Sequence, residues 1–388
     1  MPPRQILIVD SEGVHLTDID APAVSRMIMP RGRWPSWNPL FDLVAVSTVE
    51  NSSSEVCLVD LYGKVERTFY TVPGDVPPVI APLVPHYVQW SPGGTALSYV
   101  AQGTYGMTLF LSHRDGLFGP DAVINAAPLF SAWCTDDNFL AVHAGEELSV
   151  IEIDGSRTTA SVASQTAGYR TPAYSDDAEI LAYARLEESG EVQLMRARFQ
   201  GTDSEPVVSF AGGVALAFRP GTQLLTVAVA RNPESGGFDE LWLVDLSTEG
   251  YPKRRIFGGH FVSFLWSPPG ERLALVVPSY SGDGRYAMRI IEPDGRSVAT
   301  SEAFQPSEDY RIYLAFFDQY VNSHSLWSAD GQSILIGGRV TTDSVSPSFG
   351  DPVGDYVFNW EPGDRAPMRT VRAGSIGFHA PLPKPLQR

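Results

Sequence analysis

Apolar and polar positions alternate along this chain in short runs, and one arrangement of them returns throughout the sequence. Each unit opens with a short strand that ends near an aromatic residue. A turn rich in Pro, Asp and Gly follows, and then an apolar run such as "LALVV" or "ILIGG". A third strand, as in "ELWLVDLSTEG", ends on an acidic residue and usually a glycine, and a fourth strand follows. Such turns predict antiparallel strands, and no unit contains a convincing stretch with helical period.

The recurring aromatic residues, which we call the anchors, set the period of the repeat. Their spacings are 53, 43, 41, 44, 48 and 61 residues, about 48 on average. Periods of this length with four strands per unit are typical of β-propeller blades. We expect the anchors to lie on the inner strands and to fill the wedge between adjacent blades. The anchors are Trp37, Trp90, Trp133, Tyr174, Phe218, Trp266 and Trp327.

The two ends of the sequence contain parts of one further unit. "ILIVDSEG" near the N-terminus matches a third strand, and "AGSIGFHAP" near the C-terminus matches an anchor strand with Phe378 in the aromatic place. We expect these ends to share a blade, which closes the ring and covers two open sheet edges. The sequence therefore predicts a single all-β propeller domain over residues 1–388, with eight blades favoured. Seven blades remain possible if the terminal strands only supplement the last full blade.

The turn motifs also carry a family resemblance. "WSPGG", "WSPPG" and "WSADG", together with strands of the "LWLVDLSTEG" type, resemble the TolB-like, WD40-like (PD40) β-propeller repeats over essentially the whole chain. The resemblance implies the propeller fold. The family includes periplasmic TolB-type components, propellers of prolyl-oligopeptidase-like peptidases and some sugar-lyase propellers. Several repeats, such as "WCTDD", depart from the motif, and the Trp-Asp dipeptide of true WD40 repeats is absent.

Composition and charge narrow the possible partners. The formal net charge is −17 and the chain has no basic stripe, which argues against nucleic-acid binding. No window approaches 18 continuous apolar residues, so we expect no membrane insertion. The apolar run at residues 6–9 is too short for a signal-peptide core, which predicts a cytoplasmic location. Cys57 and Cys134 belong to no Cys or His cluster and are expected to be buried thiols.

Motifs for common chemistry are missing. The sequence contains no G-x-S-x-G nucleophile elbow, no phosphate-binding loop, no His-Glu-x-x-His and no EF-hand loop, so we predict no catalytic residue and no cofactor. Histidines near the anchors support an alternative, a metal site of the kind a metal-assisted lyase would use. Capping of loops and bonding to carbonyls is the more ordinary role for these residues. The histidines are His86, His260, His324 and His379.

The interval that ends at Trp327 is the longest and holds an added segment, residues 301–325, rich in aromatic side chains. Tyr and Phe mixed with a few charges are typical of interfaces, so we interpret the segment as a partner-binding ridge at the channel mouth. An ordinary apolar strand with a long lead-in loop is the alternative. The leading function is then a non-enzymatic scaffold that binds a protein partner in a larger assembly. A small-molecule or saccharide-binding propeller is the second interpretation, and the sequence does not fix the oligomeric state. The candidate partner-binding residues are Tyr310, Arg311, Tyr313, Asp318 and Tyr320.

Overall fold

Strands dominate the computed structural model of this protein, and they follow one another in antiparallel groups that match the repeat units. The structure describes residues 4–50, 53–71, 86–103, 106–135, 137–153, 158–177, 179–232, 236–279, 284–340, 354–363 and 366–381. The first unit contains β1 (Gln5–Val9), β2 (Gly13–Asp18) and β3 (Ala21–Pro30). The second contains β4 (Arg33–Trp37), β5 (Leu43–Glu50), β6 (Ser53–Asp60) and β7 (Val65–Thr71).

The next four units are continuous four-stranded sheets. The third unit contains β8 (His86–Trp90), β9 (Ala96–Gly103), β10 (Gly106–His113) and β11 (Asp121–Asn125). The fourth contains β12 (Leu129–Trp133), β13 (Phe139–Ala144), β14 (Glu147–Glu152) and β15 (Thr159–Ser164). The fifth contains β16 (Ala173–Tyr174), β17 (Ile180–Leu186), β18 (Glu191–Arg198) and β19 (Glu205–Ala211). The sixth contains β20 (Gly213–Phe218), β21 (Leu224–Ala230), β22 (Phe238–Asp245) and β23 (Lys253–Phe261).

The last part of the chain adds two units and two helices. The seventh unit contains β24 (Ser263–Trp266), β25 (Leu273–Pro278), β26 (Tyr286–Ile291) and β27 (Ser297–Thr300). After β28 (Phe304–Pro306) come the helices α1 (Glu308–Ala315) and α2 (Phe317–Tyr320). The eighth unit contains β29 (Ile334–Val340), β30 (Tyr356–Trp360) and β31 (Arg369–Ala373), and β32 (Ile376–His379) follows. Neither helix of the described chain is long and apolar enough to cross a membrane.

These sheets confirm the propeller fold. Among the described residues six sheets have four antiparallel strands each, and a seventh sheet joins the strands from β24 to β31. The joint is β28, which pairs with both β26 and β29. Because two repeat units are joined in this way, the count of eight blades stays a prediction, as does the single domain over residues 1–388.

The pairing of β1 with β32 confirms that the two ends share a sheet. Leu7 lies opposite Phe378, and Val9 lies opposite Ile376. Leu7 and Phe378 have no exposed surface, and β1 also pairs with β2 on its other side. Both edges of β1 are therefore paired inside one four-stranded sheet in which β32 is the end strand, and the two ends share a sheet as the sequence pattern predicts.

The anchor tryptophans join neighbouring units, as expected. The indole N–H of Trp90 donates to the carbonyl of Ser36 in the second unit at 3.1 Å, and that of Trp327 donates to the carbonyl of Leu265 at 3.0 Å. Trp90 and Trp327 thus pack at boundaries between units and satisfy their indole N–H groups there. Two more anchors follow the same rule: Trp133 donates to Ser98 Oγ and Trp266 to Thr226 Oγ1. Cys57 and Cys134 are buried, as predicted.

Candidate functional site

The segment predicted as a ridge or a strand is helical, and it fills the centre of the ring. We call residues 307–325 the plug. Ser307 caps α1, because its Oγ accepts from the backbone N–H of Tyr310 at 3.1 Å, and acidic residues occupy the first turn. Tyr310, Tyr313 and Leu314 lie on one face and are buried. The helix was not predicted from the sequence, although the Ser307 cap and the three-and-four spacing of these side chains were the available signals.

Aromatic side chains of the plug pack against the inner strands on several sides of the ring. The ring of Tyr320 stacks on that of Trp34 in the second unit, with centroids 4.6 Å apart. On another side, the ring of Phe317 meets that of Phe264 edge-on at 4.9 Å. The hydroxyl of Tyr310 reaches the eighth unit and donates to the carbonyl of Leu335 at 3.3 Å. The plug therefore fills the channel with apolar surface.

Polar contacts fix the position of the plug along the channel. The Gln319 side chain forms a pair of hydrogen bonds with the backbone of Ser131, both at 2.9 Å. The backbone carbonyl of Gln319 accepts from Gln89 Nε2 at 2.9 Å. The carboxylate of Asp318 lies 2.8 Å from Nη2 of Arg170 in the segment before β16, and the Asp318 side chain has no exposed surface. These contacts come from residues of three different units, so the plug is held in one register.

The plug corrects the expected placement of the partner-binding residues. Tyr310, Tyr313 and Tyr320 have no exposed surface, and Asp318 is also buried. They lie inside the channel rather than on a ridge at its mouth. A buried side chain does not meet a partner, so only Arg311, which is exposed, keeps the exposure that the predicted role requires.

The four histidines proposed as an alternative metal site are not brought together as one ligand set. His86 and His324 both lie beside the ring of Trp34, with centroid distances of 6.3 and 6.2 Å. Burial lowers the pKa of His86 and of His324 to about 4, and that of His379 to about 3, so these imidazoles are neutral at neutral pH. His260 is exposed and lies 4.0 Å from Asp239.

One group in the described chain has the spacing of a metal site, and it contains none of these four histidines. It consists of Asp10 and Glu12 in the turn between β1 and β2, together with His15 on β2. Asp10 Oδ2 already lies 3.1 Å from His15 Nε2 and 3.5 Å from Arg372 Nη2. The carboxylate is thus shared between a histidine and an arginine, which is a structural use of these side chains.

The plug leaves one cavity where the inner strands end. This funnel has a volume of about 470 Å³ and is lined by six of the anchors and by six prolines near the ends of the inner strands. Its only charged lining residues in the described chain are Asp176 and Asp318. The prolines are Pro39, Pro92, Pro172, Pro220, Pro268 and Pro381.

A second cavity lies where the inner strands begin, between α1 and the fifth, sixth and seventh units. Its volume is about 910 Å³, within the range of small-molecule sites, and apolar and glycine residues form most of its wall. Arg170 and Arg311 are the charged residues that line it in the described part of the chain. The two cavities therefore carry opposite charge, and the pair of Asp318 and Arg170 lies between them.

Comparison with known proteins identifies the fold alone. No protein-family model and no curated protein matches this chain. Among solved structures, the dihydro-heme d1 dehydrogenase NirN in complex with DHE is 13% identical with a TM-score of 0.60, over 98% of this chain and 75% of that chain. A structure described as the eukaryotic initiation factor is 14% identical with a TM-score of 0.54, over 99% and 100%. An oligogalacturonate lyase in complex with manganese is 13% identical with a TM-score of 0.51, over 82% of each chain. These similarities agree with the propeller fold that the TolB-like, WD40-like resemblance implies.

Proposed function

We propose that this propeller is a non-enzymatic scaffold that binds a protein partner through the outer edge of its first two units. The observation that carries the proposal is where the exposed large apolar side chains lie. Val24 is 74% exposed, Tyr62 80% and Tyr70 61%. Together with Met27 and Val65 they form what we call the rim patch, on β3, on β7 and on the turn between β6 and β7.

Contacts between the two units hold the rim patch together. The guanidinium of Arg26 on β3 lies over the ring of Tyr62, 4.9 Å from its centroid, and donates to the carbonyl of Leu61 at 3.2 Å. Gly63 lies so close to β3 that a Cβ there would be 3.3 Å from the carbonyl oxygen of Ile28. The turn and β3 therefore form one continuous surface, and exposed apolar side chains around a tyrosine are typical of protein interfaces.

The charge of the rim patch indicates which partner fits it. Residues 21–30 and 61–71 contain three cations, Arg26, Lys64 and Arg67, against one anion, Glu66, whereas the whole chain has a net charge of −17. A second copy that presented the same patch would bring like charges together. The patch fits a different protein, one with apolar side chains flanked by acidic groups.

The test is affinity capture from the native cell with two matched variants. The double variant Val24→Glu, Tyr62→Glu places two acidic groups in the rim patch. The control Thr159→Glu, Ser161→Glu places two on the exposed outer strand β15 of the fourth unit. We expect wild type and control to capture the same protein and the rim variant to lose it. Titration of that purified protein should show at least about a tenfold weaker Kd for the rim variant.

Two results would redirect the proposal. If the rim variant captures the same protein with the same affinity, the binding surface lies elsewhere. If light scattering shows a dimer of the wild type that the rim variant loses, the occupant is a second copy of this chain. Circular dichroism of all variants controls for folding.

A further inference from the structure

The cavity beside α1 has the charge of an anion site in a strongly acidic protein. The chain carries 45 Asp and Glu residues against 28 Lys and Arg, yet no acidic residue is among the described residues that line this cavity. Its charged groups are the guanidinium groups of Arg170 and Arg311. Cations in a largely apolar cavity attract an anion more strongly than the same cations in open water.

The two arginines differ in how much of their charge is already matched. Arg170 is held by the buried carboxylate of Asp318, by a hydrogen bond to the carbonyl of Ala315 and by the ring of Phe316, 5.4 Å from its guanidinium carbon. Arg311 lies on the adjacent helix, is exposed, and makes no side-chain hydrogen bond or ion pair within the described residues. The guanidinium of Arg311 is therefore available to pair with a ligand. Arg170 is held in place and adds positive charge to the cavity wall.

The side chain of Tyr169 contributes its ring to the same wall. Tyr169 lines the cavity and is 7% exposed, and its hydroxyl oxygen is buried and does not face the cavity. Its ring stacks on that of His143 with centroids 4.4 Å apart. The wall beside the two arginines is therefore a flat apolar surface.

The remaining wall leaves room for an apolar body. A Cβ at Gly190 or at Gly236 would meet no atom within 4 Å, and one at Gly213 would meet only the carbonyl oxygen of Gly168, at 3.4 Å. Phe238 and Leu314 supply apolar surface to the same cavity. Gly190, Gly213 and Gly236 therefore border open space.

We propose that this cavity binds a small organic carboxylate with a flat apolar body. The carboxylate pairs with Arg311, whose planar guanidinium matches the two carboxylate oxygens. The apolar body packs between Phe238, Leu314 and the glycine wall. This site lies on the ring face beside α1 and is separate from the rim patch, so its test does not depend on the proposed partner.

The test uses a pair of probes that differ in charge alone, 2-naphthoate and its neutral amide, 2-naphthamide, titrated by calorimetry into the full chain. We expect wild type to prefer the carboxylate by about tenfold, the scale of one charge-assisted hydrogen bond. Arg311→Gln should abolish the preference while leaving binding of the amide unchanged. Ala315→Trp, which adds bulk to an exposed position in the cavity wall, should prevent binding of both probes.

Arg254→Gln is the matched control, since Arg254 is exposed on the outer strand of the sixth unit and lies outside the cavity lining. It should behave as wild type. The proposal is overturned if wild type binds neither probe, if it binds both equally, or if Arg311→Gln keeps the preference for the carboxylate. Binding that survives Ala315→Trp would place the probe at another site and would also overturn it.

Discussion

Arg170 and Asp318 join the plug to the fifth unit through an ion pair whose carboxylate has no exposed surface, while 31% of the arginine side chain is exposed. A buried carboxylate is stable only if it is paired, and here the partner comes from a different unit of the ring. The pair separates the acidic funnel from the basic cavity, so the charge difference between the two faces of the plug depends on it.

Asp318→Asn should lower the free energy of unfolding by roughly 1–3 kcal/mol, because the charge-assisted bond to Arg170 is lost. Urea unfolding measures the change. A double-mutant cycle with Arg170→Gln isolates the coupling between the two side chains. Asp176→Asn, a change to an exposed carboxylate at the same funnel, is the control. A coupling free energy near zero would show that the pair does not hold the plug.

Tyr310→Ala and Tyr313→Ala should each cost roughly 3–5 kcal/mol of stability, because each removes a fully buried ring from the channel. The matched Tyr→Phe variants keep the ring and lose only the hydroxyl bonds to Leu335 and His324, so they should cost about 1 kcal/mol. Thermal and urea unfolding provide the comparison. Alanine variants as stable as wild type would contradict the placement of the plug.

Trp327→Ala should also cost roughly 3–5 kcal/mol, since the indole is 2% exposed and packs between the seventh and eighth units. Tyr62→Ala removes a large aromatic ring that is 80% exposed, and should change stability by no more than about 0.5 kcal/mol. Equal effects of the two changes on the urea midpoint would mean that the anchor position does not hold the units together.

Deleting residues 1–12 should lower the melting temperature sharply or prevent folding, because the deletion removes β1 from between β2 and β32. A milder variant, Leu7→Ala, should cost about 2–5 kcal/mol. Its control is Val24→Ala on the exposed outer strand, expected within about 0.5 kcal/mol. An unchanged melting curve for the deletion would show that the ring does not depend on the shared sheet.

Stability should fall as pH drops from about 6.5 toward 4, because the buried histidines stay neutral in the folded protein. Burial lowers the pKa of His324 to about 4, whereas its ordinary value is 6.5, so the unfolded chain binds the proton first. Each such histidine should lower the free energy of unfolding by about 1 kcal/mol near pH 5.5. His324→Asn should flatten the dependence of the melting temperature on pH, and the exposed-site control His260→Gln should not. If the melting temperature of His324→Asn depends on pH as steeply as that of the wild type, the result contradicts the burial of the His324 imidazole.

The repeat could be predicted from the sequence, because the strands of each unit pair with their neighbours along the chain. Trp327 and its turn recur in sequence, and Phe378 could be placed by extending the period. The plug has no repeated counterpart, and its contacts join distant positions, such as Tyr320 with Trp34. The rim patch could not be predicted from the sequence either, because the apolar residues of β3 resemble those of a buried strand. Only the sheet order shows that β3 is the outermost strand. A cytoplasmic location and the absence of nucleic-acid binding stay predictions.

The order of elements along the chain has a consequence for assembly. The plug follows β28, and β32, the strand that pairs with β1, lies beyond it in sequence. A ribosome therefore produces the central helices before it produces the strand that completes the ring. The ring can therefore close around helices that are already present, and no helix has to pass through a closed ring.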